Sequence, residues 1–264
     1  MGKGGTVAFF LALVLAMSGF VGWRAAHVPE PKHLGVGLAI YLARYETNRL
    51  EAYMAARAIG TNAVPYLVQE MQRNVLAEAL MKIGEKAPKN TRPIFPDRRK
   101  YETRRAAAAH LLSEFPEAVP AALEMLEEEE SHGGVTSYCM LIVGFHGIGS
   151  AHEERAMKTL VRLARAPDRD TRRMAIGYLT KFTRWSDEVV PALVLGLYYP
   201  GMGPRLIEEL VKFGTNALPY LKVAAASEAR TNVHVRPASV ALERIEQLAA
   251  SRNQTVVTNL AGKL

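Results

Sequence analysis

A chain of 264 residues with 49% hydrophobic and 22% charged side chains holds ample apolar material for a large core, which excludes a disordered or low-complexity protein. Lys and Arg outnumber Asp and Glu by 33 to 26, a formal charge of +7, so anionic partners are favoured over cationic ones. The single cysteine, Cys139, excludes an intrachain disulfide and any metal site built on paired thiolates.

The first element is apolar. From Thr6 to Trp23 the chain carries no charge, and as a helix this run would span about 27 Å, just enough to cross a bilayer. Lys3 before it and the small residues of Ala16-Met17-Ser18 also describe a secretory signal peptide. Apolar residues continuing through Phe20 and Val21 to Trp23 and Arg24 favour an uncleaved anchor. Residues 1–26 are therefore expected to be a signal anchor or signal peptide. The body would then lie outside the cytoplasm, tethered as a single-pass protein through residues 6–23, or secreted or periplasmic after cleavage.

His27 to Lys32 (HVPEPK) holds two prolines and reads as a short extended linker. Leu38, Tyr41, Leu42 and Tyr45 follow the spacing of one helix face, predicting a capping helix that completes a region over 27–47.

The body, residues 48–250, is organised around a repeated octapeptide: GTNAVPYL from Gly60 to Leu67 returns as GTNALPYL from Gly214 to Leu221. Gly60 and Gly214 are expected to end helices in the left-handed cap conformation. Asn62 is the expected N-cap of the following helix, and Pro65 and Pro219 fall in its first turn, where a missing N–H loses no bond. Helical faces run up to equivalent joints elsewhere. They are Leu76 to Ile83, Ala108 to Phe115, Leu141-Gly144-Phe145-Ile148, Ala175 to Phe182, Leu206 to Phe213 and Ala241 to Leu248. Joint positions 60, 84, 116, 149, 183, 214 and 249 give intervals of 24, 32, 33, 34, 31 and 35, a steady period after the first. Second helices follow from Val119, Met157 and Val190, with Pro120 and Pro191 near their starts. No segment alternates convincingly as a strand, and Arg252 to Leu264 lacks an amphipathic period, leaving 251–264 as a C-terminal tail. The predicted class is all-α, an α-solenoid of helical hairpins with an N-terminal apolar anchor or signal helix.

With arginines near first-helix starts (Arg104-Arg105, Arg172-Arg173, Arg236), an alanine-rich face, a terminal Ile or Phe with Gly and a proline opening the second helix, the chain resembles the HEAT-repeat family, particularly its short-period bacterial members. The resemblance covers about residues 48–250. It implies a right-handed superhelix of paired helices serving as a protein-binding surface, with first-helix arginines bonding neighbouring repeats. The period is shorter than the roughly 40–47 residues of HEAT units and nearer TPR or ankyrin lengths, yet neither of those families' signature residues is present.

No catalytic constellation emerges. His132, His146 and His152 match no zinc spacing, Glu127 to Glu130 reads as a solvated face, and Ser131-His132-Gly133-Gly134 lacks a nucleophile elbow. Gly144 to Gly149 follows no strand and reads as helix–helix packing. Cys139 reads as a small buried hydrophobe. No catalytic, cofactor or metal residue is expected.

Two basic clusters remain: Arg98, Arg99, Lys100, Arg104 and Arg105, and Arg169, Arg172, Arg173, Lys181 and Arg184. Arg98, Arg99, Lys100, Arg104, Arg105, Arg172 and Arg173 are the candidate anion- or partner-binding residues. Glu85 to Lys100, with three prolines, interrupts the rhythm and is expected to be a long loop. The expected function is a non-enzymatic interaction scaffold for an unidentified protein or peptide. The alternative is a binder of nucleic acid or another anionic polymer through the arginine clusters.

Overall fold

The computed structural model describes residues 28–72, 75–86, 97–127, 134–231 and 236–261. The apolar run Thr6–Trp23, most of the Glu85–Lys100 segment, and His132 with Glu128 to Glu130 lie outside them. Within the described residues the chain is mostly helical and all-α in class. One small departure is an antiparallel pair, β1 (Lys32–His33) and β2 (Val36–Gly37), turning at Leu34-Gly35 between the expected linker, which ends at Lys32, and the capping helix. The chain divides into two compact units between Ala118 and Val119.

In the first unit, α1 (Leu38–Ala43), α2 (Arg49–Ile59) and α3 (Val64–Met71) all pack against α5 (Arg98–Leu112); α4 spans Val75–Lys86. Local chemistry fixes the helix starts. The Asn48 side chain accepts from the Glu51 N–H at 3.4 Å and Asp97 from the Lys100 N–H at 3.2 Å, each satisfying a donor the helix cannot. Leu38, Tyr41, Leu42 and Tyr45 are buried, as their spacing predicts. So are Ala52, Ala55 and Ala56 on α2 and Ala107, Ala108 and Ala109 on α5, where short side chains let the helices approach closely. Because α4 continues to Lys86 and α5 begins at Arg98, the expected loop over Glu85–Lys100 is shorter at both ends.

The second unit contains α6 (Val119–Glu127), α7 (Gly134–His146), α8 (Glu153–Leu163), α9 (Arg169–Leu179), α10 (Ser186–Gly196), α11 (Gly203–Phe213), α12 (Leu218–Thr231) and α13 (Pro237–Ala261). Contacts between alternate helices form one series and two further pairs. Helices α6, α8, α10 and α12 touch in succession, while α7 meets α9 and α11 meets α13. In this unit Leu123, Met140, Met157, Leu160, Phe182 and Leu193 are fully enclosed, each burial being worth about 1.5–3 kcal/mol. Gly144 lies so close to the Tyr178 ring, and Gly147 to Ala156, that a Cβ at either would collide. These glycines set the approach of α7 to its neighbours, which accords with a helix-packing role for Gly144 to Gly149. Cys139 is buried in the same helix.

Both octapeptides form the same joint, with two differences from the expected chemistry. Gly60 (φ 68°, ψ −148°) and Gly214 (φ 58°, ψ −133°) have positive φ but lie outside the left-handed helical well, in a region essentially reserved for glycine. Residues Gly60–Ala63 and Gly214–Ala217 are then 3₁₀ turns. The Val64 and Leu218 N–H groups donate to the carbonyls of Thr61 and Thr215, so Asn62 is not the N-cap; the turn's own backbone takes that place. Pro65 does occupy the first helical turn, as does Pro219 at the second residue of α12.

Three further expectations are corrected. On α7 the buried face is Met140, Val143 and Gly144 with Cys139 and Ile142, leaving Phe145 54% exposed and, in the turn beyond the helix, Ile148 37% exposed. The run SYCMLIVGF is apolar on every side, so its period does not identify the inner face. Second, α10 begins at Ser186, placing Pro191 inside the helix. A proline there leaves the carbonyl four residues earlier without its donor, and that carbonyl, of Asp187, accepts from the Tyr220 hydroxyl at 3.3 Å. One octapeptide thus repairs a defect in a neighbouring helix. Third, α13 continues to Ala261, so no joint falls at 249 and the tail is helical through that residue.

Candidate functional site

The seven candidate residues fall into both units and do different things. On α5, Arg105 is 4% exposed; its Nε donates to the Met71 carbonyl at 3.1 Å and its guanidinium lies 5.6 Å from the Tyr101 ring centre. Arg104 is half-buried, donating to Glu70 at 2.6 Å and to the Tyr66 hydroxyl at 3.0 Å. Burial, then the charge of Glu70, pushes the Tyr66 hydroxyl pKa up to about 12, so it remains a neutral hydrogen-bonding group. Arg98 pairs with Glu85 at 3.1 Å, and Arg99 stands 4.0 Å from Glu46. Only Lys100 has no ion-pair partner among the described residues. This cluster therefore fastens α5 to α3 and leaves little charge for an external ligand.

The second cluster is arranged otherwise. Asp168 caps α9 by accepting from the Thr171 N–H at 2.7 Å, and the Thr171 hydroxyl first, then that N–H, hold its carboxyl below the usual range. One turn on, Arg172 closes the preceding loop, donating to the Ala166 carbonyl at 2.7 Å and the Pro167 carbonyl at 2.6 Å while lying 5.1 Å from the Tyr199 ring centre. Its neighbours Arg169 and Arg173 are exposed and have no ion-pair partner among the described residues. Lys181 sits 3.2 Å over the exposed Phe145 ring, and Arg184 reaches Glu153 at 3.5 Å.

Around Tyr199 the surface is concave on both sides. A cleft of about 140 Å³ is lined by Arg169, Arg172 and Arg173 on one wall and by Tyr199, Pro200 and Met202 on the other. Across the Tyr199-Pro200 ridge, a larger cleft of about 480 Å³ has mainly apolar walls, among them Leu197, Tyr198, Ile207, Pro237 and Val240, with Arg236 as its cation. Among the described residues, no carboxylate lines either cleft.

The ridge is held from beneath. Glu228 on α12 is 2% exposed and accepts from the Ala238 N–H (2.8 Å), the Ser239 N–H (3.0 Å), the Ser239 hydroxyl (2.7 Å) and the Tyr198 hydroxyl (3.0 Å). Burial alone would raise its pKa, but the Ser239 hydroxyl, the two N–H groups and Tyr198 together outweigh burial and hold it below the ordinary value. The same contact, after burial, pushes Tyr198 up to about 12. One carboxylate thereby caps α13 and anchors the tyrosine beside the ridge.

Sequence reasoning reaches Arg172 and Arg173 on one wall of the smaller cleft but misses the aromatic ridge. Its signal was the run Tyr198-Tyr199-Pro200-Gly201 between α10 and α11, two aromatics where a plain helix connection needs none. Among the described residues, no group of three His, Cys, Asp or Glu side chains is placed to hold a metal ion, and no helix is long and apolar enough to cross a membrane. No family model, curated protein or solved structure matches the chain, so its function is argued from this geometry.

Proposed function

We propose that the chain is a non-enzymatic interaction scaffold, a HEAT-like α-solenoid whose body is tethered to or exported across a membrane by residues 6–23 and binds a protein or peptide. The observation that carries the reading is the contact pattern between alternate helices of the second unit, in which α6, α8, α10 and α12 touch in series beside the α7–α9 and α11–α13 contacts. Serial contact of this kind is how repeat proteins build extended recognition surfaces. The uncharged run from Thr6 to Trp23 supports the membrane part. In-situ photo-cross-linking of the full chain in its own membrane fraction should capture a defined partner. Recovery of the full chain from the soluble fraction, or capture of nothing above background, would remove the tether or the scaffold respectively.

A second reading, binding of nucleic acid or another anionic polymer, is favoured by Arg169 and Arg173, which have no ion-pair partner among the described residues. It predicts affinity for a polyanion that falls steeply with salt and disappears on charge reversal at these two positions. Retained binding by Arg169→Glu/Arg173→Glu would exclude it. Arg104 and Arg105 are unsuited to that test because reversing them breaks the α3–α5 contact.

A further inference from the structure

We infer that the two clefts beside Tyr199-Pro200 form one docking site for an acidic peptide segment, an apolar side chain entering the larger cleft and carboxylates meeting the arginines of the smaller. The inference rests on the scaffold reading and names the chemistry of its partner.

Four features converge. The clefts share Tyr199 and Pro200 as a common wall, so a single chain crossing that ridge contacts both. The larger, about 480 Å³ and chiefly apolar, lies in the size range of sites that enclose an apolar group. Val240 on its wall is 52% exposed, an uncovered aliphatic beside the half-exposed Tyr198. Among the described residues the charges are all of one sign, since Arg169, Arg173 and Arg236 line the clefts and no carboxylate does.

Pre-organisation adds to this. Arg172 is spent on two backbone carbonyls and the Tyr199 face, and Tyr198 is tied to Glu228, so the ridge is fixed from both sides before any ligand arrives. A fixed wall lowers the ordering entropy that binding would otherwise lose. A nucleic-acid backbone would use the arginines but would leave the apolar cleft empty. A lone apolar molecule would fill that cleft and ignore the arginines. An acidic peptide with one large apolar residue uses both.

The test is fluorescence anisotropy with the full chain in detergent micelles and a fluorescein-labelled peptide carrying a tryptophan followed by a run of glutamates. Saturable binding is expected. It should weaken about ten-fold or more in Arg169→Glu/Arg173→Glu and, separately, in Val240→Asp, and weaken on raising the salt. All these positions are exposed, so the variants should melt with the parent, and a matched thermal scan verifies it. Equal binding of a peptide with lysines for the glutamates, or with glycine for the tryptophan, overturns the inference. So does displacement by N-acetyl-tryptophanamide as effective as displacement by the peptide itself, unaltered affinity in both variants, or no binding at all. Heparin displacing the peptide while binding equally to Val240→Asp would assign the arginines to a polyanion instead. Should in-situ cross-linking capture a partner while the peptide fails, this inference falls and the scaffold reading stands; failure of both removes the two together.

Discussion

Glu102-Thr103-Arg104-Arg105 and Asp170-Thr171-Arg172-Arg173 are nearly the same four residues, each on a helix capped by an aspartate, yet they meet opposite ends. In α5 the pair lies almost a full turn deeper past its cap, Asp97, than the pair in α9 lies past Asp168. At that depth α5 crosses α3, which presents Glu70, Tyr66 and the Met71 carbonyl, and both arginines are consumed. In α9 the pair sits within the first turns, over a loop. Arg172 finds two carbonyls there, while Arg173 finds none and points to a cleft. The lesson is that a basic motif becomes glue or a binding surface according to whether the neighbouring element supplies acceptors.

The sharpest way to break this contrast is to truncate both arginines. Arg105→Ala removes the donor to Met71 and leaves a buried gap, and should cost about 3 kcal/mol, read as a lowered urea midpoint. Equal tolerance of Arg105→Ala and Arg173→Ala would dissolve the distinction.

Next in size is the support of the Tyr199 ridge. Glu228→Gln should cost about 2 kcal/mol at neutral pH, since four donors lose a charged acceptor. Because the folded pKa of Glu228 is depressed, its contribution is fully present above the unfolded carboxyl value, near 4.3, and is lost as pH falls through the lower folded value. The gap between parent and variant should therefore close on acidification, in urea melts between neutral and acid pH. A gap that stayed constant would mean the carboxylate is not ionised where it sits.

The two octapeptides allow a smaller test of the same idea. Tyr66 accepts from Arg104, whereas Tyr220 donates to the carbonyl stranded by Pro191. Tyr220→Phe should cost about 1 kcal/mol, and the double variant with Pro191→Ala should recover most of it, because the restored N–H fills the same carbonyl. Failure of that rescue would disconnect tyrosine and proline.

Smallest of all, Arg173→Ala should change stability by under about 0.5 kcal/mol by thermal scan, the ordinary result for an exposed side chain without an ion-pair partner among the described residues. A larger loss would reassign Arg173 to the glue.

Much of the helical pattern was legible in advance. Leu38, Tyr41, Leu42 and Tyr45, or Leu206, Leu210 and Phe213, carry apolar residues at helical spacing against polar neighbours, and all are buried. Where that contrast is missing the reading fails. On α7 and the turn after it, the spacing puts Phe145 and Ile148 on the inner face although Met140 and Val143 are the buried residues, since an all-apolar stretch has no preferred face. The spacing makes Asn62 the N-cap, a place the Thr61 carbonyl takes, and it marks Arg172 and Arg173 but not the aromatic ridge that turns their surroundings into a cleft.

By itself, then, the sequence determined the all-α class, the glycine at each octapeptide joint and the proline opening the next helix. These are consequences of local backbone energetics, which depend on a few consecutive residues. Tertiary structure alone decided that Arg105 is buried and Arg173 free, that Tyr220 answers Pro191, and that Tyr198, Glu228 and Ser239 fix a ridge between two clefts. Those outcomes depend on partners brought from 10 to 34 residues away, because hydrogen bonding and burial act through space and not along the chain.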